Sequence, residues 1–134
     1  MADISPSLIL LTYKGKALLM HKQKSVLDEE RHPWSFISGV FNEKESLEKT
    51  LMRRVYAEMG IRIENVELVS DSCYHASLTD DNVNSIRRSE HQLLDFFTLK
   101  DLKKLFLSSD TYQFVQKHGS LIEKTRDFKV ELQS

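Results

Sequence analysis

Two rhythms of apolar residues run along this chain. Near the N-terminus, "SLILLTY" and "KALLMHKQ" are apolar runs of strand length on either side of Lys14, Gly15 and Lys16, an arrangement that predicts a β-hairpin. A polar stretch, "KSVLDEERHP", leads into "WSFISGV", whose aromatic and β-branched residues predict a third strand ending at Gly39. From Ser46 the period changes. Leu47, Leu51, Val55 and Met59 recur every four residues, Ser46 or Asn42 offers a cap, and Gly60 offers a stop; a helix is expected there. Downstream, "VELVSDSCYHASL" and "HQLLDFFTL" read as strands joined by the polar loop "TDDNVNSIRRSE". "LKDLKKLF" and "SDTYQFVQKHG" read as short closing helices, the second capped by Ser109 or Asp110 and closed by Gly119. The predicted order is three strands, a helix, two strands and two helices, with a polar tail over about residues 125–134.

With 134 residues and 40% hydrophobic content, the chain suits one domain over 1–134 with a core of its own. Its formal net charge is -1 with acids and bases interspersed, which argues against a DNA or RNA polymer or an anionic membrane as partner. Cys73 is the single cysteine and cannot form an internal disulfide. The opening "MADISPSLILLTYKGK" has no basic leader and no apolar run long enough to span a bilayer. A soluble protein of the reducing cytoplasm is the expectation. Neither repeats nor low-complexity tracts interrupt the chain.

The helix carries the chemistry. At about 100° per residue, positions 54, 57 and 58 fall on one arc of roughly 100° beside the apolar stripe, and here they are Arg54, Ala57 and Glu58. Three groups on such an arc converge on one ion. Hard divalent cations want several oxygen ligands and often share them with substrate phosphates, so the single carboxylate on this arc is a bare minimum.

The spacing of Gly39, Glu45, Arg53, Val55, Glu58, Gly60 and Ile61 resembles the box of the Nudix hydrolase family, G-x5-E-x7-R-E-U-x-E-E-x-G-U, with U a bulky aliphatic. Seven of the nine specified positions match. "DFFTLKDLKKL" also resembles the aromatic strand and helix start that close such domains. The resemblance implies an α/β Nudix fold, a mixed β-sheet sandwiched between α-helices. It also implies a hydrolase of a nucleoside diphosphate derivative or related phosphorylated metabolite, with Mg²⁺ or Mn²⁺ as cofactor and a possible homodimer. By the same resemblance Gly39 offers a backbone carbonyl to the ion, Glu45 and Arg53 brace the loop against the helix, and Glu58 is the principal metal ligand. Family members recruit a further acid from a later loop, for which Glu90 is the candidate, with Asp80 and Asp81 behind it.

The two departures are Arg54 and Ala57, both at carboxylate positions of the family box. Arg54 supplies charge without an ion, yet it is no base, since guanidinium stays protonated. The departures leave two readings: a hydrolase with altered metal use, or a non-catalytic nucleotide- or diphosphate-binding module in which Arg54 replaces the ion. Two branches of the family share features of this box. GDP-mannose mannosyl hydrolases also carry Ala-Glu and take a base from a late loop, a role for which His91 is the candidate. Isopentenyl-diphosphate isomerases also carry Arg-Arg, but need a cysteine where this chain has Ser38, which makes that a remote alternative.

Other residues have two readings each. Lys22, Lys24, Arg87 and Arg88 suit phosphate contacts or solvated surface charge. Phe41 suits stacking on a base, whereas Trp34 and Phe36 suit the core better. Cys73 and His75 share a strand face but lack the further ligands of a zinc site. Arg54 also stands four residues before Glu58, the spacing of a helical ion pair.

Overall fold

A computed structural model describes residues 7–22, 33–40, 44–88 and 92–124. Its elements are β1 (Ser7–Tyr13), β2 (Lys16–Lys22), β3 (Ile37–Gly39), α1 (Leu47–Met59), β4 (Glu67–Ser70), β5 (Cys73–Ser77), α2 (Asp80–Asn84), β6 (Gln92–Phe97), α3 (Leu99–Leu102) and α4 (Ser109–His118). The expected hairpin joins β1 to β2, pairing Thr12 with Ala17 and Tyr13 with Lys16. Its two turn residues, Lys14 and Gly15, both have positive φ, 49° and 80°, as a tight hairpin turn matched to the strand twist requires.

The strands form one sheet in the order β4-β5-β1-β2-β6, with β3 also pairing with β1. β1 runs parallel to β5 and antiparallel to β2 and β3, so the sheet is mixed. Alternate residues of β1 serve opposite faces. Ile9 and Leu11 pack with Leu51, Val55 and Met59 of α1, while Leu8 and Leu10 pack with Leu102 of α3 and with Phe114 and Val115 of α4. Helices therefore cover both faces, which explains why β1 reads as a continuous apolar run rather than an alternating one. Phe36 is buried in the second cluster with its ring edge-on to Phe114 at 5.3 Å, and Trp34 lies against Phe97 at 5.0 Å; both aromatics are used in packing.

Several elements differ from the sequence expectation. The segment 66–78 is two strands rather than one, because the chain turns at Asp71 and Ser72, where Ser72 has φ 61°. The loop after it contains α2, whose N-cap Thr79 accepts from the Asn82 backbone while the Asn82 side chain accepts from the Thr79 backbone, a reciprocal cap that stabilises even one short turn. Both α3 and β3 are shorter than their apolar stretches. Before β3, Trp34 and Ser35 instead make isolated bridges to Leu107 and Met20. The N-cap of α4 is Ser108, one residue ahead of the expected pair. Asn42, the alternative cap of α1, and the tail 125–134 lie outside the described residues.

Both ends of α1 are set by sequence. The Ser46 side chain accepts from the Lys49 backbone N–H, and Gly60 ends the helix with φ 73°. A Cβ at Gly60 would also stand 3.3 Å from that of Arg87. Gly60→Ala is therefore expected to destabilise the fold by about 1–2 kcal/mol, read as a lower midpoint in urea unfolding at unchanged slope.

Candidate functional site

The site lies where β3 meets α1. Gly39 is buried against the helix, and a Cβ there would meet Thr50 Cγ2 at 3.0 Å and Leu51 Cδ2 at 3.4 Å. Close approach is thus one reason for a glycine at this position. It brings the carbonyl of Ser38, the preceding residue, to the helix, where Arg54 Nε donates to it at 3.3 Å.

Glu45 and Arg53 meet as expected. Arg53 donates from Nε at 3.1 Å and from Nη2 at 2.8 Å, both to Glu45 Oε1, which also accepts from Thr50 Oγ1 at 3.0 Å. The loop before α1 is therefore tied to the helix by three hydrogen bonds to one carboxylate oxygen. Thr50 is buried, and its position beside the apolar stripe is the one sequence signal for this contact.

Arg54 and Glu58 also meet. Arg54 Nη2 donates to Glu58 Oε1 at 3.0 Å, in a pair whose side chains are 36% and 15% exposed. The second carboxylate oxygen accepts from Gln92 Nε2 at 2.9 Å, and the same amide nitrogen stands 2.9 Å from the sulfur of Met20. Gln92 comes from β6, whose register places it opposite Lys22 of β2. No pattern along the chain points to this role, because the β2–β6 pairing is what brings it over α1. Among the described residues, no group of three or more His, Cys, Asp or Glu side chains is arranged to hold a metal ion. With both oxygens of Glu58 already accepting hydrogen bonds, these residues do not fit a multi-ion cluster.

The other candidates divide. Arg87 lies against the C-terminal end of α1: its backbone N–H donates to Met59 O at 2.8 Å and its Nη2 to Ala57 O at 3.4 Å, satisfying carbonyls that a helix end leaves open. Arg88 Nη1 donates to Leu94 O at 2.6 Å. Both arginines thus brace backbone within the fold. Asp80 accepts from the Tyr13 hydroxyl and lies 3.6 Å from Lys14 Nζ. That is the hairpin end of β1, whereas Gly39 pairs with Ser7 at the other. Six residues of strand, roughly 20 Å, separate the two ends, so Asp80 is not brought to Glu58. Asp81 is exposed beside it. Lys22 ends β2. Lys24, Phe41, Glu90 and His91 lie outside the described residues.

Cys73 and His75 take no shared role. Cys73 packs with the cluster under α3 and α4, on the sheet face away from α1, so no cysteine stands beside Gly39. His75 Nε2 shares a 2.8 Å hydrogen bond with the buried Thr12 hydroxyl, and burial pushes its pKa below the ordinary value against a smaller opposing pull from Glu67.

Comparison with known proteins agrees with this architecture. The sequence model of the NUDIX domain matches residues 3–117. No curated protein sequence matches the chain. Among solved structures, a mutT/nudix family protein from Listeria innocua is 17% identical and superposes with a TM-score of 0.68 over 97% of this chain and 99% of that one. The NUDIX domain of Shewanella oneidensis NrtR, complexed with ADP ribose, is also 17% identical, with a TM-score of 0.64 over 91% and 90%. A MutT structure (Aliivibrio salmonicida, Vibrio cholerae) gives 17% identity and a TM-score of 0.62 over 85% of this chain and 94% of that one. No helix among the described residues is long and apolar enough to cross a membrane.

Proposed function

We propose, from the premise that this chain belongs to the Nudix family, that it hydrolyses a nucleoside diphosphate derivative or a related phosphorylated metabolite, with altered metal use. The observation that carries this reading is the ion pair of Arg54 with Glu58 at the junction of β3 and α1. Family hydrolases generally use divalent ions such as Mg²⁺ or Mn²⁺. Here one guanidinium and one carboxylate stand at positions where the family box has acids. Transfer of a phosphoryl group is dominated by placement and by neutralising charge on its oxygens. Arg54 supplies fixed positive charge and a planar fork of donors suited to diphosphate. Glu58 orients that fork, and the Glu45, Arg53 and Thr50 brace keeps the loop against the helix. Glu90 and His91 remain the proposed loop acid and base, with Lys22, Lys24 and Phe41 as proposed substrate contacts.

A second reading, a non-catalytic diphosphate-binding module, is favoured by one observation. Both oxygens of Glu58 already accept hydrogen bonds, from Arg54 and Gln92, which makes the carboxylate a positioning group. The structural likeness to a NUDIX domain complexed with ADP ribose makes that compound the first ligand to test under either reading.

The test is a screen of ADP-ribose, nucleotide sugars, dinucleotides and nucleoside triphosphates, each with Mg²⁺, Mn²⁺ or a chelator, following binding by calorimetry and turnover by phosphorus NMR. Turnover of any member is the result expected for the hydrolase. Binding without turnover selects the module, and neither binding nor turnover would sink both readings.

A further inference from the structure

The carboxylate that should hold an ion is held instead by two donors, and that disagreement has a specific consequence. We infer that Arg54 is itself the cation of this site: its guanidinium, seated between Glu58 and the Ser38 carbonyl, takes the place of a divalent ion, and Gln92 locks the carboxylate in that arrangement. The inference deepens the diphosphate reading above and rests on it for the identity of the ligand class.

Three observations converge. First, Arg54 contacts two kinds of oxygen that a hard cation would use, a carboxylate oxygen at 3.0 Å and a backbone carbonyl oxygen at 3.3 Å. Second, the remaining oxygen of Glu58 accepts from Gln92 at 2.9 Å. A carboxylate only accepts, so the amide must turn its NH₂ toward it, and an ion approaching Glu58 would have to displace both donors. Third, the pair is mostly withdrawn from solvent, with side chains 36% and 15% exposed, so it is screened less than a surface pair. One positive and one negative charge already cancel before any ion arrives. A divalent ion entering there would meet the guanidinium at close range and be repelled. The contacts described use only Nε and Nη2 of Arg54; Nη1 has no partner among the described residues. That leaves a free edge of the fork for phosphate oxygens.

Ligand binding should then need no metal, and Glu58 should act as a positioning residue. The experiment titrates Mn²⁺, followed by electron paramagnetic resonance, into the full chain, Glu58→Gln, Arg54→Ala and the double variant Arg54→Ala with Glu58→Gln. Identical Mn²⁺ binding by the full chain and Glu58→Gln is expected. Arg54→Ala, by freeing the carboxylate, should tighten Mn²⁺ by about tenfold or more, the scale on which neighbouring groups tune metal sites. The double variant should lose that gain. Weaker Mn²⁺ binding in Glu58→Gln than in the full chain would overturn the inference, and so would an Arg54→Ala protein that folds and gains nothing. Should Arg54→Ala fail to fold, the full chain against the isosteric Glu58→Gln decides alone. A separate arm measures inorganic pyrophosphate binding in chelator. Binding by the full chain that falls in Arg54→Ala supports the inference, whereas binding that appears only when Mn²⁺ is added overturns it. If pyrophosphate and every compound in the substrate screen fail to bind under all conditions, the diphosphate reading fails, while the Mn²⁺ titrations still decide what occupies Glu58.

Discussion

Arg54→Ala is expected to lower kcat/KM about 10²- to 10³-fold for whichever phosphorylated substrate is turned over, the scale set by removal of one preorganised electrostatic group. If the protein binds without turnover, the same substitution should weaken ADP-ribose affinity in chelator, read by calorimetry. The size follows from what the side chain does in place. It donates to Glu58 and to the Ser38 carbonyl, so its removal takes away the fixed positive charge and leaves a largely buried carboxylate with Gln92 as its one remaining donor. Arg54→Lys keeps the charge but loses the planar fork, and an ammonium acts as a point charge rather than a bidentate partner; an intermediate loss is expected. Glu58→Gln should lower turnover by at least about 10²-fold by the same comparison, through disorientation of Arg54. Unchanged kinetics and unchanged affinity in Arg54→Ala would remove this residue from the function altogether.

The largest effect on stability is expected at Leu51. Its side chain is fully buried in the cluster between α1 and the sheet, and it lies 3.4 Å from the position a Cβ would occupy on Gly39. Leu51→Ala removes buried methyl groups and leaves a cavity that α1, tied at one end by Glu45 and at the other by Arg87, closes only in part. The expected loss is about 3–5 kcal/mol, a large share of the stability of an ordinary domain. In thermal unfolding it should appear as a fall in Tm of about 10 °C or more. Met52→Ala on the outer side of the same helix, where the residue is 36% exposed, should change stability by less than about 1 kcal/mol. Equal effects at the two positions would mean that α1 does not derive its stability from the face it packs on the sheet. Leu51→Ala should also loosen the placement of Arg54, so a loss of ligand affinity larger than the unfolded fraction accounts for is part of the expectation.

What the sequence determined by itself is what neighbours along the chain decide. The β1–β2 hairpin follows from two apolar runs around a turn whose residues reach positive φ. Helix α1 follows from its four-residue apolar spacing, with Ser46 capping the start and Gly60 ending it. The brace of Glu45 with Arg53, and the pair of Arg54 with Glu58, join residues eight and four apart across a loop–helix junction or one helical turn. The four-residue pair is legible from helix geometry alone, whereas the eight-residue brace, with Glu45 outside the helix, is legible only through the resemblance of the box. The turn at Asp71 and Ser72 and the reciprocal cap of α2 are local too, and their turn and capping residues stood in the sequence under a pattern that read more simply as strand and loop.

Tertiary structure decided the rest. The parallel pairing of β1 with β5 joins residues more than sixty positions apart, and no local pattern specifies which strand lies beside which. The β2–β6 register carries Gln92 to Glu58, a contact spanning 34 residues, and converts a lone carboxylate into one held on both sides. Close packing of Gly39 on α1 brings the Ser38 carbonyl to Arg54. The chain turn after α2 sends Arg87 to the end of α1 and Arg88 to the Leu94 carbonyl, giving two arginines with the look of surface charge a place in the backbone hydrogen bonding. In each case the side chain's chemistry was readable, but its partner was not, because hydrogen bonds and ion pairs act over a few ångströms of space and the sequence orders residues only along the chain.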